Sequence, residues 1–292
     1  MLRRFFVATL LTALAIASAA AQAPAAAQDK EKKEQAKPVE KKEQAKPVED
    51  ARQGKGKTYT AEQIAETVVL VFGSRQGMAQ IRRTGVERGT ITRTAEDGRE
   101  ESVNYSRVFK RGDTYEKDKI RLDQRLPTVE YSLIYSDGHV TGLLRGTPFT
   151  PKDADVTTIM SDRLHGLDAL LRYKETGSTV KFVGNESQKG LELWVLELSD
   201  KSGNATRYYI SSKTARVLWL EYEQQTNAGA PPTKFKRTFH DYRVVQGTLV
   251  PYRTVLYEGD RKVEESQVLT VTYGVKTEDS VFTGNESATF QP

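Results

Sequence analysis

Ile64, Val68, Val71 and Phe72 recur at the spacing that lines up apolar side chains on one face of a helix. Thr60-Ala61-Glu62-Gln63 just before them fits a capping box, in which the Thr hydroxyl and the Gln side chain each answer a free backbone N–H. Tyr59 and Ile64 stand where a hydrophobic staple places its two residues, and Gly73 is a natural stop. A short N-terminal helix with one greasy face therefore has to pack against something.

Beyond it the period shifts to two. Thr90 to Thr94 and Ser102 to Lys110 flank Glu96-Asp97-Gly98, a hairpin signal. Val129, Tyr131, Leu133 and Tyr135 alternate, Asp137-Gly138 turns the chain, and His139 to Arg145 returns. A second helical region is predicted within 153 to 173, with Ser161 as a candidate cap and Leu164, Leu167 and Leu171 on a common face. Gly166 weakens that helix and Gly177 lies beyond it. Strands follow over Thr179 to Gly184, Leu191 to Ser199, Ala205 to Ser211, Arg216 to Glu223, Lys234 to Val245, Leu249 to Glu258 and Arg261 to Tyr273. Short turns between them favour an antiparallel, sequentially connected sheet.

Two strands are apolar on both faces. Leu193 and Val195 oppose Trp194, Leu196 and Leu198; Val217 and Trp219 oppose Leu218, Leu220 and Tyr222. Such strands are covered on both sides. The helices can cover one face. Ordinary core, a fold-over of the sheet, a partner or an apolar ligand would cover the other.

The front end has a different composition. Arg3-Arg4, the apolar run Phe5 to Ala17 and Ala19-Ala20-Ala21 before Gln22 have the three parts of a secretory signal peptide, so residues 1–21 are expected to be removed on export to the periplasm. Ala25-Ala26-Ala27 offers a second cleavage site. The apolar run is shorter than the roughly 20 residues of a membrane span, and no later segment approaches that length, so no integral span is expected after cleavage. Residues 22–57 carry dense mixed charge, no aromatic residue and an exact tandem copy of EKKEQAKPV. They read as a disordered charged linker, because they cannot bury enough apolar surface to offset ordering entropy. Residues 58–292 form the strand-rich domain. The formal charge is +5, of which Arg3 and Arg4 supply two; the remaining +3 is too small to imply nucleic acid.

Candidate chemistry is sparse. The absence of cysteine excludes disulfides, thiolate metal sites and a lipidated N-terminal cysteine. Gly56-Lys57-Thr58 mimics the end of a phosphate loop, but the required first glycine is Ala51. His139, His165 and His240 share no metal-like spacing. His240 and Asp241 would point to opposite faces of a strand. Asp153 and Asp155 suit a helix start or a solvated turn. Of the four Asn-x-Ser/Thr sites, Asn104, Asn185, Asn204 and Asn285, Asn185 and Asn285 sit in Gly-Asn-Glu-Ser segments that read as turns. No acid, base and nucleophile can be named together, so the expectation is a non-enzymatic protein without metal or cofactor.

The run TFHDYRVVQGTLVPYRTVLYEGDRKVEESQVLTVTYGVKTEDSVF, the segment Ser136-Asp137-Gly138-His139 and the stretch Leu164 to Tyr173 resemble the periplasmic lipoprotein carriers of the LolA/LolB type, the outer-membrane lipoprotein-sorting proteins. The order of elements is similar as well: a capped helix, a meander, a helical insertion and a resumed meander. The resemblance spans residues 58 to 285. It implies an α+β fold, a large curved antiparallel sheet forming an unclosed β-barrel, with helices covering the concave face. It also implies a carrier that binds a lipid, an acyl chain or an acylated protein in an apolar cavity, with envelope membrane proteins as further partners. On that reading Val68, Phe72, Leu164, Leu167 and Leu171 are the lid-side wall, and Tyr131, Leu133, Trp194, Leu196 and Trp219 the sheet side. A one-residue slip would exchange the faces of any strand. The same residues also admit an envelope binding or scaffold module without lipid, which predicts a packed interior, and a periplasmic hydrolase, which predicts a polar cleft with perturbed titratable groups.

Overall fold

A computed structural model describes residues 59–126, 129–225 and 231–283. The expected leader, the linker, Gly56-Lys57-Thr58 and Asn285 lie outside these residues.

Helix α1 (Ala61–Val71) forms where the apolar stripe placed it. Thr60 accepts from the Gln63 N–H at 3.2 Å while Gln63 Oε1 accepts from the Thr60 N–H at 2.9 Å. Ile64, Val68 and Phe72 are almost fully buried, each worth about 1.5–3 kcal/mol by removal from water. Gly73, at φ 126°, leads into a second short helix, α2 (Arg75–Ile81), capped by Ser74.

Thirteen strands then build one antiparallel sheet: β1 (Thr84–Thr94), β2 (Glu100–Lys110), β3 (Lys119–Arg125), β4 (Glu130–Ser136), β5 (His139–Leu144), β6 (Thr147–Phe149), β7 (Thr179–Gln188), β8 (Leu191–Ser199), β9 (Ala205–Ser211), β10 (Val217–Gln224), β11 (Thr233–Val245), β12 (Thr248–Glu258) and β13 (Arg261–Tyr273). Their spatial order is β6-β5-β4-β3-β2-β1-β13-β12-β11-β10-β9-β8-β7. The first and last strands pair in the middle, and β6 and β7 are the two free edges. The sheet is thus a curved, unclosed barrel. The chain between its edges is helical: α3 (Asp153–His165), α4 (Leu167–Leu171) and α5 (Tyr173–Thr176). This bridge and α1 cover the concave face. Among the described residues no helix is long and apolar enough to cross a membrane.

The largest core joins α1 and α4 to the concave side of β8–β11 through Leu196, Tyr208, Ile210, Leu220 and Phe239. A second cluster, Val86, Val108 and Ile134, sits on the other face under Val281 and Phe282 of a C-terminal 3₁₀ turn. The two-sided strands are buried on both faces: Leu193, Val195, Tyr209 and Trp219 cluster opposite Leu196 and Leu220, but an irregularity between Val217 and Trp219 sends Val217 to the Leu220 side and leaves Leu218 with Trp219, the reverse of the expected faces.

Several local expectations change. The predicted helix over 153–173 is three pieces, because Gly166 is extended (φ −72°, ψ 178°) and a Cβ there would meet the Asp162 carbonyl oxygen at 2.3 Å. Ser161 is no cap: it lies inside α3, buried, and donates to the Tyr222 hydroxyl at 3.0 Å. The break also separates Leu164, which is exposed, from Leu167 and Leu171. Asn185 does not turn the chain: it lies within β7 opposite Trp194, and the turn falls at Lys189 and Gly190.

Candidate functional site

A cavity of about 270 Å³ lies between the concave sheet and the α3–α4 bridge. It is close to the lower end of the usual range for ligand sites, about 300–1,000 Å³. Strands β1–β3 and β11–β13 supply its floor, because the alternation of side chains sends Glu87, Tyr105, Arg107, Leu122, Phe239, Thr254, Glu264 and Ser266 inward. Ile159, Asp162, Gly166, Leu167 and Asp168 form the roof.

The lining is half grease, half charge. Ile91, Leu122, Ile159, Leu167, Phe239, Val250 and Val268 make apolar wall. Between them stand carboxylates, most with a cation of their own. Asp162 accepts from Arg237, and Asp168 accepts from Arg111 at 3.3 Å. Glu264 accepts from Arg93 at 3.2 Å, and Glu87 accepts from the Tyr105 hydroxyl at 2.8 Å. Burial raises Glu264 toward its neutral form, against the pull of Arg93. Asp168 lines the cavity and keeps 42% of its side-chain surface accessible. Burial pushes its carboxyl up, but Arg111, Arg82, Arg172 and Arg107 together outweigh that and hold it well below the usual carboxylate range.

One end of the cavity is closed by a cation–aromatic stack. The Arg163 guanidinium lies 4.0 Å from the Tyr135 ring centre and 4.4 Å from that of Tyr115; Arg172 approaches Tyr115 at 4.7 Å. Asp118, buried, accepts from Arg172 and lies 3.6 Å from Arg163. The Tyr115 hydroxyl donates to the Arg163 carbonyl at 2.7 Å. At the Gly166 break, His165 Nδ1 is 2.7 Å from Thr206 Oγ1, and its ring stacks on Tyr222 at 4.0 Å. Among the described residues no group of three acidic or histidine side chains could hold a metal ion.

No protein-family model matches the sequence, and no curated protein matches it either. Solved structures do match in shape. A DUF1329 family protein from Desulfovibrio piger superposes with a TM-score of 0.54 at 12% identity, over 77% of this chain and 98% of that one. A LolA superfamily protein from Nitrosomonas europaea gives the same TM-score and the same two coverages at 14% identity. The fold is LolA-like. A putative outer membrane lipoprotein-sorting protein domain from Vibrio parahaemolyticus also matches, at 11% identity and a TM-score of 0.47, over 69% of this chain and 90% of that one.

Within the LolA-like fold the ten residues expected to wall a cavity are distributed unevenly. Leu167 lines it. Val68, Phe72, Leu171 and Leu196 are packed in the main core, with Trp194 against that core and 5.4 Å from the Tyr59 ring. Leu133 belongs to a core with Ile120, Tyr135 and Ile159, against which Tyr131 packs. Leu164 is exposed, and Trp219 is on the opposite face of the sheet, stacked on Tyr209 at 4.6 Å. The inward charges were not singled out from the sequence. Glu87, Arg107 and Glu264 alternate with apolar neighbours like any half-wet strand, and nothing local distinguishes a carboxylate facing a cavity from one facing water.

Proposed function

We propose that this protein is an exported, non-enzymatic carrier that takes an acyl chain, as free lipid or as the lipid of an acylated protein, between its concave sheet and its α3–α4 bridge. The observation that supports this most is the cavity itself: a hollow with apolar side chains on both floor and roof, in a LolA-like fold, at the place where the helices span the open barrel. An acyl chain gains about 0.8 kcal/mol for each methylene it removes from water, so such a wall needs no catalytic group to bind it. Release requires the bridge to lift, as lids do over other closed sites. The leader over residues 1–21 would deliver the chain to the periplasm, and the charged linker over 22–57 would precede the carrier domain. Envelope membrane proteins are the natural donors and acceptors for such a cargo.

The test is native mass spectrometry of the protein purified from a periplasmic extract. A co-purifying species of defined lipid mass, displaced by added fatty acid, is the expected result. A clean apo mass, together with no fluorescence gain from an added apolar dye, would overturn the carrier.

A further inference from the structure

Resting on the carrier reading, we propose that the cavity accepts an acidic amphiphile, a small oxyanion head on an apolar chain, and that Arg107 is the residue that receives the head. Arg107 lies mid-strand in β2, opposite Glu87 on β1 and Leu122 on β3, with its side chain on the cavity floor. The inward carboxylates nearest in charge to it are engaged elsewhere. Glu87, its own cross-strand partner, accepts from Tyr105 instead; Asp162 is held by Arg237 and Asp168 by Arg111. Among the described residues, Arg107 has no hydrogen bond or ion pair at contact distance. Burial works against its charge, and the more distant Glu87, Asp162 and Asp168 outweigh that, so it stays a guanidinium. Five N–H donors in a planar fork match a carboxylate or a phosphate monoester, and a half-buried guanidinium without such a partner gives up water contacts that nothing replaces.

Charge balance points the same way. Arg82, also inward, donates only to neutral acceptors, Thr248 Oγ1 at 3.2 Å and the Leu249 carbonyl at 2.7 Å. Against Arg82 and Arg107, Glu87 is the cavity carboxylate with no cation at contact distance among the described residues, so these three groups carry one positive charge in excess. The apolar complement is adjacent: Ile91, Leu122, Phe239, Val250 and Val268 line the same space. A head at Arg107 and a tail along that wall would fill both halves of the lining at once.

The experiment is a fluorescence titration of the full exported chain, at neutral pH, with dansyl-undecanoic acid and with its methyl ester. The two probes share a chain and differ by one negative charge. The unaltered protein is expected to bind the acid about tenfold more tightly than the ester, the size of one charge-assisted contact. Arg107→Gln should weaken the acid to the level of the ester and leave the ester unchanged, which also reports that the variant is folded. Arg107→Lys, which keeps the charge and loses the fork, should retain part of the preference. Equal affinity for acid and ester in the unaltered protein overturns the inference while the carrier reading stands, and this comparison holds whether or not a variant folds. An acid preference that survives Arg107→Gln overturns Arg107 as the receiver. Inorganic phosphate competing as strongly as the long-chain acid overturns the amphiphile, since a free anion would then suffice. Binding of neither probe overturns the carrier and this inference together.

Discussion

Asp118, shared by Arg172 and Arg163 in a buried stack of Tyr115 and Tyr135, shows how a single carboxylate can hold together one end of the cavity. Two guanidiniums out of water are tolerable only with such an acceptor, because an unanswered buried charge costs several kcal/mol. His165 is governed by the same physics with the opposite result. It is buried, stacked on Tyr222 and bonded to Thr206, and the pull of Asp200 toward a proton is outweighed. Burial first, then the positive charge of Arg237, lower its pKa from 6.5 to about 4. The sign follows from which state binds the proton. Between pH 6.5 and 4 the unfolded chain protonates this imidazole and the folded chain does not, so stability falls as pH falls through that window. At 1.36 kcal/mol per unit the loss approaches about 3 kcal/mol. His165→Asn keeps a polar group facing Thr206 and removes the titration. Its urea-unfolding free energy is expected to vary less between pH 7 and pH 4 than that of the unaltered protein, by about that amount. Parallel pH profiles would refute the assignment.

The element that matters most for function is the α3–α5 bridge, which α3 ties down through Ile159, Ser161, the Arg163 stack and His165, and which has two further kinds of attachment. On α4, Leu170 and Leu171 are packed into the main core and anchor one end. Over the cavity the ties are ionic, Asp162 to Arg237 and Asp168 to Arg111, between side chains that are partly accessible. Each such pair is worth only about 0.2–1 kcal/mol and weakens with salt. Loosening these pairs should therefore let α3 open more readily over the cavity while α4 and the sheet stay anchored. Asp162→Asn combined with Asp168→Asn is expected to speed amide exchange in α3 about fivefold, with the strand amides of β8–β12 unchanged. Raised salt should move the unaltered protein in the same direction. A uniform change across helices and strands would mean that the bridge does not open independently. The bridge is also where the sequence was hardest to read. The capped α1 and the long hairpins of β7–β13 were legible, because caps, turns and two-residue alternation are local signals. Gly166 was visible as a weakness but not as a break, since the obstacle is the Asp162 carbonyl one turn away. Ser161 has a cap-forming side chain, yet its hydroxyl serves Tyr222, 61 positions along the chain. β3 reads KIRLDQR, too polar to declare itself, and β6 has three residues including Pro148. The resemblance implied a hollow under the helices, but the residues that line this cavity were not legible. Its floor combines residues from β1–β3 and β11–β13, which only the pairing of the first strand with the last brings together.

That pairing decides how the whole domain behaves. β1 and β13 meet in the centre of the sheet, so the half from β1 to β6 and the half from β7 to β13 share one ladder of residues far apart in sequence, supplemented by the helical bridge, by α1 and α2, and by the C-terminal 3₁₀ turn. Gly89 sits at the irregularity in this seam, between the Arg88 and Gly89 pairings. A Cβ there would meet the Gln267 carbonyl oxygen at 2.2 Å and the Tyr105 ring at 2.8 Å. Neither can yield cheaply: one is ladder backbone, and the other holds Glu87. Gly89→Ala should therefore cost about 1–3 kcal/mol by overpacking, concentrated at the joint between the halves. Both tryptophans, Trp194 in β8 and Trp219 in β10, report on one half only. In the unaltered protein, urea unfolding followed by tryptophan fluorescence and by far-ultraviolet circular dichroism is expected to give coincident curves, the mark of a single cooperative unit. In Gly89→Ala the dichroism should begin to fall at lower urea than the fluorescence, because the β1–β6 half is released first while the α1-packed half around Leu196, Tyr208 and Leu220 persists. If the two probes shift together by the same amount, the seam is not what couples the halves, and the helices and the C-terminal 3₁₀ turn carry that coupling instead.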